Sequence, residues 1–293
     1  MIVIRPSVWY YQFANKQNKA KTGGKKQVRK IKLAVFDWAG TTVDYGCVAP
    51  LAVFEKIFEN KNIHLTREEI LKPMGMGKRD HIETLLRTEN ATEQWKKQYN
   101  RDWNQADVDE MFAQFNQQLL AVLENYATPI DGVLETIQQL RKADIFIGST
   151  TGYTREMMDI VEEKAKEAGY TPDYVVTSEM TGYGRPYPYM LFENMRKFEV
   201  YPPCCVVKVG DTASDMKEGK NAGAWSVGVI EGSSAANMTP ELANTLSAEE
   251  KQMRFDKAAQ ILKEAGADYV IQTMRELPQV IEQINERLEA DAE

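Results

Sequence analysis

The chain has 293 residues, 43% of them apolar and 27% charged, which supports a globular fold of one large domain or two moderate ones and excludes disorder throughout. It contains no run of about 18 apolar residues, so no segment reads as a membrane span. Three cysteines, Cys47, Cys204 and Cys205, two of them adjacent, imply no disulfide framework and fit a reducing cytoplasm.

From the N-terminus, residues 1–30 carry eight of the 36 Lys/Arg and none of the 43 Asp/Glu. This stretch lacks the apolar core and cleavage pattern of a secretory signal, and its KTGGKK segment reads as flexible, so a disordered basic extension is expected there. The remainder is acidic, which argues against a nucleic-acid enzyme, and no membrane partner is expected. The first β-branched, apolar run is LAVFDW (33–38). Between residues 47 and 127 the strand signal disappears: Val108, Met111, Phe112, Phe115, Leu119 and Leu123 recur at three- and four-residue intervals, an amphipathic helix, and Thr66 with Glu69 forms a capping box for a shorter one. Strand-like runs resume at IFIGST (145–150), YVVT (174–177), CVVKVG (205–210), WSVGVI (225–230) and DYVI (268–271), with helical patterns between them. Such alternation predicts an α/β fold: a doubly wound, Rossmann-like parallel sheet core with an inserted all-helical cap domain. The core is expected over 31–46 and 128–293, the cap over 47–127, and the hinges at 44–48 and 124–131.

In open parallel sheets, ligands gather at the carboxyl ends of the strands. The first run ends in Phe36-Asp37-Trp38-Ala39-Gly40-Thr41-Thr42-Val43, a carboxylate where the chain leaves the sheet. The second ends in Ser149-Thr150-Thr151-Gly152, hydroxyls and N–H groups at a helix start that can hold phosphate oxygens. Gly184-Arg185-Pro186 places a fixed cation in a loop, suited to bidentate contact with a phosphoryl group. After the fourth run, Asp211 and Asp215 lie four apart on one side of a first helical turn, and hard oxygen ligands of this type suit Mg²⁺. Each element alone also reads as a turn or cap. Together, and in this order, they form a specific set.

That order resembles the four motifs of the haloacid dehalogenase superfamily, which implies Asp37 as a nucleophile forming an aspartyl intermediate, with magnesium shared with the phosphate. Phosphatases of the superfamily carry a second Asp two residues after the nucleophile, where this chain has Ala39. A carbon leaving group accounts for the change, because a departing carbanion needs an electron sink more than an oxygen acid, and a lysine Schiff base is such a sink. The insertion supplies Pro73-Met74-Gly75-Met76-Gly77-Lys78-Arg79-Asp80-His81, with Lys78 and His81 three apart on one helix face. His81 is expected to relay protons during imine formation, with packing or hydrogen bonding as its alternative role.

FDWAGTTVDYGC, the KPMG segment leading to Lys78 and His81, IGSTTGYTREMMD, GRPYP and the VGDT segment with its following SDMKEG together resemble the phosphonoacetaldehyde hydrolases, the phosphonatase branch of that superfamily. The resemblance runs from Ile31 to the C-terminal region. It implies hydrolysis of the P–C bond of phosphonoacetaldehyde in phosphonate catabolism, with Asp37 as nucleophile and Lys78 as the Schiff-base amine. It also implies Mg²⁺ at Asp37, the Ala39 carbonyl and Asp211, with Asp215 orienting the surroundings of the ion. Thr151 and Arg185 are expected at the phosphoryl oxygens, Cys47, Met74, Gly75, Gly152 and Tyr153 around the substrate, and a homodimer through the caps. Condensation requires Lys78 neutral, hence a pKa below the ordinary value of about 10.4; burial and neighbouring cations are both available causes. Two other readings stay open: a phosphomonoesterase or sugar-phosphate mutase, against which Ala39 speaks, and an inactive small-molecule-binding relative, against which Asp37, Lys78 and Asp211 speak.

Overall fold

The computed structural model describes residues 29–290; of the basic extension expected at 1–30, residues 1–28 lie outside the described residues. Six strands, β1 (Leu33–Phe36), β2 (Phe146–Thr151), β3 (Tyr174–Thr177), β4 (Val206–Gly210), β5 (Trp225–Val229) and β6 (Tyr269–Ile271), form one sheet in the order β3-β2-β1-β4-β5-β6. Every neighbouring pair is parallel. Each strand falls on one of the six apolar runs. All residues of β1 and β4 are buried, as central parallel strands covered on both faces require.

The connection from β1 leads to β2 and β3 on one side, and the chain then returns to β4 on the other. That reversal makes the crevice between the carboxyl ends of β1 and β4 the place where such sheets bind ligands. Register pairs Phe36 with Val209, and Asp37 N donates to Val209 O at 2.9 Å, so Asp37 and Asp211 leave the sheet side by side.

Six α-helices and no strand lie between β1 and β2, and the first five make up the helical block: α1 (Val48–Glu59), α2 (Arg67–Leu71), α3 (Lys78–Leu86), α4 (Glu89–Tyr99) and α5 (Gln105–Leu120). Their cohesion is apolar. Val53, Phe54, Ile57 and Phe58 of α1 and Val108, Met111, Phe115 and Leu119 of α5 are buried, with the Phe54 and Phe115 rings 4.4 Å apart. Burial stabilises by about 1.5–3 kcal/mol per large apolar side chain, which outweighs the weak intrinsic preference of such short helices. The Thr66–Glu69 capping box starts α2 as its sequence suggests. The α5 pattern ends earlier than its periodicity: Val122 leaves helical geometry (φ −123°), and Leu123 is buried in a following 3₁₀ turn, Leu123–Tyr126. The remaining helices, α6 (Val133–Lys142), α7 (Arg155–Glu167), α8 (Ser178–Thr181), α9 (Tyr189–Lys197), α10 (Ala213–Ala222), α11 (Pro240–Thr245), α12 (Ala248–Glu264) and α13 (Leu277–Ala290), connect and flank the strands.

The two segments joining the helical block to the sheet run together. Val43 bridges Pro129, and Ile130 N donates to Thr42 O at 2.9 Å. Gly46 (φ +84°) has no room for a side chain, since a Cβ would lie 2.5 Å from Met238 O. Cys47, Cys204 and Cys205 are free, and no described helix is long and apolar enough to cross a membrane.

Candidate active site

A cavity of about 20 Å³, room for roughly one water, opens above the β1–β4 crevice. Ten of the residues singled out from the sequence line it: Asp37, Ala39, Cys47, Met74, Gly75, Lys78, Thr151, Gly152, Tyr153 and Arg185. Thr212, which the sequence reading did not select, completes the lining. The walls come from both parts of the molecule, because the 73–77 loop of the helical block lies directly on the sheet loops. A Cβ on Gly75 would stand 2.3 Å from Thr212 Oγ1, and one on Gly152 would stand 2.5 Å from Met76 O. These glycines permit the close approach.

Asp37 follows β1 and is buried. Burial raises its carboxyl pKa despite Arg185, whose Nη2 donates to Asp37 Oδ1 at 2.7 Å. Asp211, after β4, accepts from Thr41 Oγ1 at 2.9 Å and from Ser234 N and Oγ at 2.9 and 2.8 Å. Its pKa is pushed up to about 7 by burial and by the neighbouring charges of Asp37 and Asp215. Asp215 is buried as well, but Arg185 and Lys208 outweigh that and hold its carboxyl below the ordinary range. Both its oxygens are engaged: Oδ2 with Thr212 N and Oγ1, and Oδ1 against Lys208 Nζ at 2.9 Å and Arg185 Nη1 at 3.1 Å.

Ligand oxygens of Asp37, Asp211 and Asp215 lie within 4.8 Å of one another, a buried triad able to bind a metal. The charge balance fits a divalent cation. Four buried carboxylates, Asp37, Asp211, Asp215 and Glu218, face the buried cations Arg185 and Lys208, which leaves two negative charges uncompensated in a water-poor setting. The loop needed to bring these groups together depends on Gly40 (φ +84°), where a Cβ would meet Asp211 Oδ2 at 2.6 Å. Ala39 lines the cavity, and its carbonyl accepts from Cys47 Sγ at 3.1 Å. Burial pushes the Cys47 thiol well above its usual pKa, so it acts as a neutral donor.

Lys78 is the first residue of α3 and is 6% exposed. Its Nζ sits 5.1 Å from the Tyr153 ring centroid and 5.9 Å from that of Phe54, and it forms no ion pair among the described residues. Burial is the leading cause of its lowered pKa; Cys47 and Asp37 oppose the shift and Arg185 adds to it. Desolvation therefore ranks ahead of the neighbouring cation, a question the sequence left open.

His81 departs from its expected place. It does not line the cavity: its ring is fully buried in the helical block, 4.0 Å from Phe54, with Nε2 against Ile70 O at 2.8 Å. Burial and the charge of Lys78 lower its pKa to about 3, so the ring is neutral and Nε2 carries the proton. The geometry corresponds to the packing and hydrogen-bonding alternative rather than to a relay. Sequence reasoning also missed Lys208 and Glu218, both buried beneath Arg185. The available signal was a lysine inside the apolar run CVVKVG, since a charge in a doubly covered strand requires a buried partner.

A parallel sheet with a strand-end Asp, a hydroxyl-rich second strand end, a loop arginine and an Asp pair after the fourth strand define a haloacid dehalogenase-like hydrolase, and the model of that family matches residues 31–223. Phosphonoacetaldehyde hydrolase from Bacillus cytotoxicus is 50% identical over 258 residues, covering 88% of this chain and 98% of that protein. A bifunctional phosphonoacetaldehyde hydrolase/aminoethylphosphonate transaminase from Clostridioides difficile is 48% identical over 89% of this chain, which corresponds to 41% of that longer protein. The crystal structure of a phosphonoacetaldehyde hydrolase-like protein from Oleispira antarctica superposes with a TM-score of 0.87 at 31% identity, covering 92% of this chain and 98% of that one. The chain belongs to the phosphonoacetaldehyde hydrolase family within the haloacid dehalogenase-like hydrolases.

Proposed function

We propose that the protein hydrolyses phosphonoacetaldehyde to acetaldehyde and phosphate through a Schiff base on Lys78 and an aspartyl phosphate on Asp37. One observation carries this reading: a buried amine with no ion-pair partner among the described residues and a buried carboxylate, from opposite parts of the fold, line the same small cavity. Ala39 offers no acid for an alcohol leaving group, which favours a carbon one.

Neutral Lys78 adds to the aldehyde carbon, and with one proton taken up from water the carbinolamine hydroxyl departs as water, giving an iminium. An Asp37 oxygen then attacks phosphorus in line. The P–C electron pair moves to carbon and into the iminium nitrogen, leaving an enamine on Lys78 and the phosphoryl group on Asp37. Protonation of the enamine carbon and addition of water release acetaldehyde and restore the amine, and a second water frees phosphate from Asp37. Arg185 and Thr151 hold phosphoryl oxygens. Asp37, the Ala39 carbonyl and Asp211 would hold Mg²⁺, with Asp215 as an orienting neighbour, and the ion would supply charge neutralisation at those oxygens.

A cavity this small admits substrate only if the parts separate, so residues 47–127 act as a cap over a core of 31–46 and 128–293, hinged at 44–48 and 124–131. Closure excludes bulk water from the enamine and phosphoenzyme. A cytoplasmic homodimer joined through the caps belongs to the same reading. The test is product stoichiometry: equal acetaldehyde and phosphate from phosphonoacetaldehyde with Mg²⁺, abolished by Lys78→Arg, which keeps the charge but cannot form the iminium. Turnover by Lys78→Arg within about tenfold of wild type would reject the Schiff base.

A further inference from the structure

The guanidinium of Arg185 touches the nucleophile, the metal-side carboxylate Asp215 and the helical block at once. Nη2 donates to Asp37 Oδ1 at 2.7 Å and to Thr150 O at 2.6 Å, Nη1 donates to Gly75 O at 3.3 Å, and Nε donates to Glu218 Oε2 at 3.1 Å. Arginine reaches this point on a long, flexible stem from a loop, so its orientation must be imposed by what grips it. Glu218, on α10 and fully buried, supplies that grip from below. The same Oε2 accepts from Thr150 Oγ1 at 3.1 Å and pairs with Lys208 Nζ at 3.1 Å, and Lys208 in turn donates to Thr150 Oγ1 at 2.7 Å and pairs with Asp215. Glu218 and Lys208 do not line the cavity.

We propose that Glu218, braced by Lys208, is a positioning residue that fixes the Arg185 guanidinium so that Nη2 meets Asp37 while Nη1 reaches the Gly75 carbonyl of the closed block. The two residues also leave the local charge unchanged as a pair, which allows position and charge to be separated by mutation. This inference rests on the proposed reaction only for its kinetic readout.

The test uses the full chain with Mg²⁺. Glu218→Gln keeps the shape and removes the charge; kcat on phosphonoacetaldehyde is expected to fall about 10–100-fold with KM within about threefold, the loss usual for an outer-shell partner. In an Arg185→Lys background the same change should cost at most about twofold more, because it acts through a group already gone. Lys208→Met with Glu218→Gln removes one charge of each sign, so the thermal midpoint should recover toward wild type while kcat stays low. The Arg185 Nε–H resonance, assigned by its loss in Arg185→Lys, should be shielded from solvent exchange in wild type and lose that protection in Glu218→Gln. Unchanged protection, additive kinetic losses or recovery of kcat in the charge-neutral double variant would each overturn the proposal. Wild type inactive on phosphonoacetaldehyde would instead overturn the functional reading, and the resonance would still decide the positioning role.

Discussion

Replacing Gly75 by alanine asks whether the 73–77 loop must seat on the sheet for turnover. Gly75 stands at φ +88°, and a Cβ would fall 2.3 Å from Thr212 Oγ1 and 3.1 Å from Thr212 Cβ. Thr212 cannot turn aside freely, because its hydroxyl accepts from Asp215 N and donates to Asp215 Oδ2 in the capping box that starts α10. Left-handed backbone costs a residue with a Cβ about 1–2 kcal/mol, and overpacking adds about 1–3 kcal/mol. Together about 2–5 kcal/mol act against the closed arrangement, lowering its population by roughly 30-fold to several thousand-fold. Separation of the two parts relieves the contact, so the cost falls on closure rather than on folding. We expect kcat/KM for phosphonoacetaldehyde to drop by at least about 30-fold. The thermal midpoint should shift by no more than about 5 °C. Wild-type kcat/KM in Gly75→Ala would refute the claim that the packed arrangement is the reactive one.

Two further outcomes follow from the charges and from Ala39. Asp211 has a folded pKa of about 7, above its unfolded value, so metal-free protein loses stability as pH rises from about 4 to about 7, where the buried carboxylate is forced to ionise. Mg²⁺ should offset that loss, and its increment in thermal midpoint over a chelator-treated sample should grow across this window; a flat increment would contradict the assigned ligand. Ala39→Asp restores an acid beside the nucleophile and should raise hydrolysis of p-nitrophenyl phosphate by at least about tenfold while leaving P–C cleavage no faster. Ester hydrolysis by wild type as fast as P–C cleavage would favour the phosphomonoesterase reading.

The sheet was legible because its strands are buried on both faces. LAVF and VVKVG read as continuous apolar runs that stop where Asp37 and Asp211 begin, and the strand ends therefore announced the chemistry. The helical block was legible as a block, since the 3.6-residue spacing of Val108, Met111, Phe115 and Leu119 needs no partner to be seen. Its internal geometry was not. Lys78 and His81 share helical spacing, yet the first meets the cavity and the second packs on Phe54, because the start of α3 faces the sheet while its next turn faces α1. Leu123 kept the period but lies beyond the helix, as burial continues through a turn. Glu218 was hidden for a different reason: it is one of 43 acidic residues in the chain, and only the fold brings it under Arg185. Lys208 left a trace as a charge within a buried strand, without indicating its partner.

The most direct measurement of the central claim is reduction with borohydride during turnover of phosphonoacetaldehyde, followed by peptide mapping by mass spectrometry. The account predicts a single two-carbon adduct on the peptide carrying Lys78, formed only when substrate is present and accompanied by loss of activity. Turnover that continues undiminished under borohydride, or an adduct on another lysine with Lys78 unmodified, would contradict it.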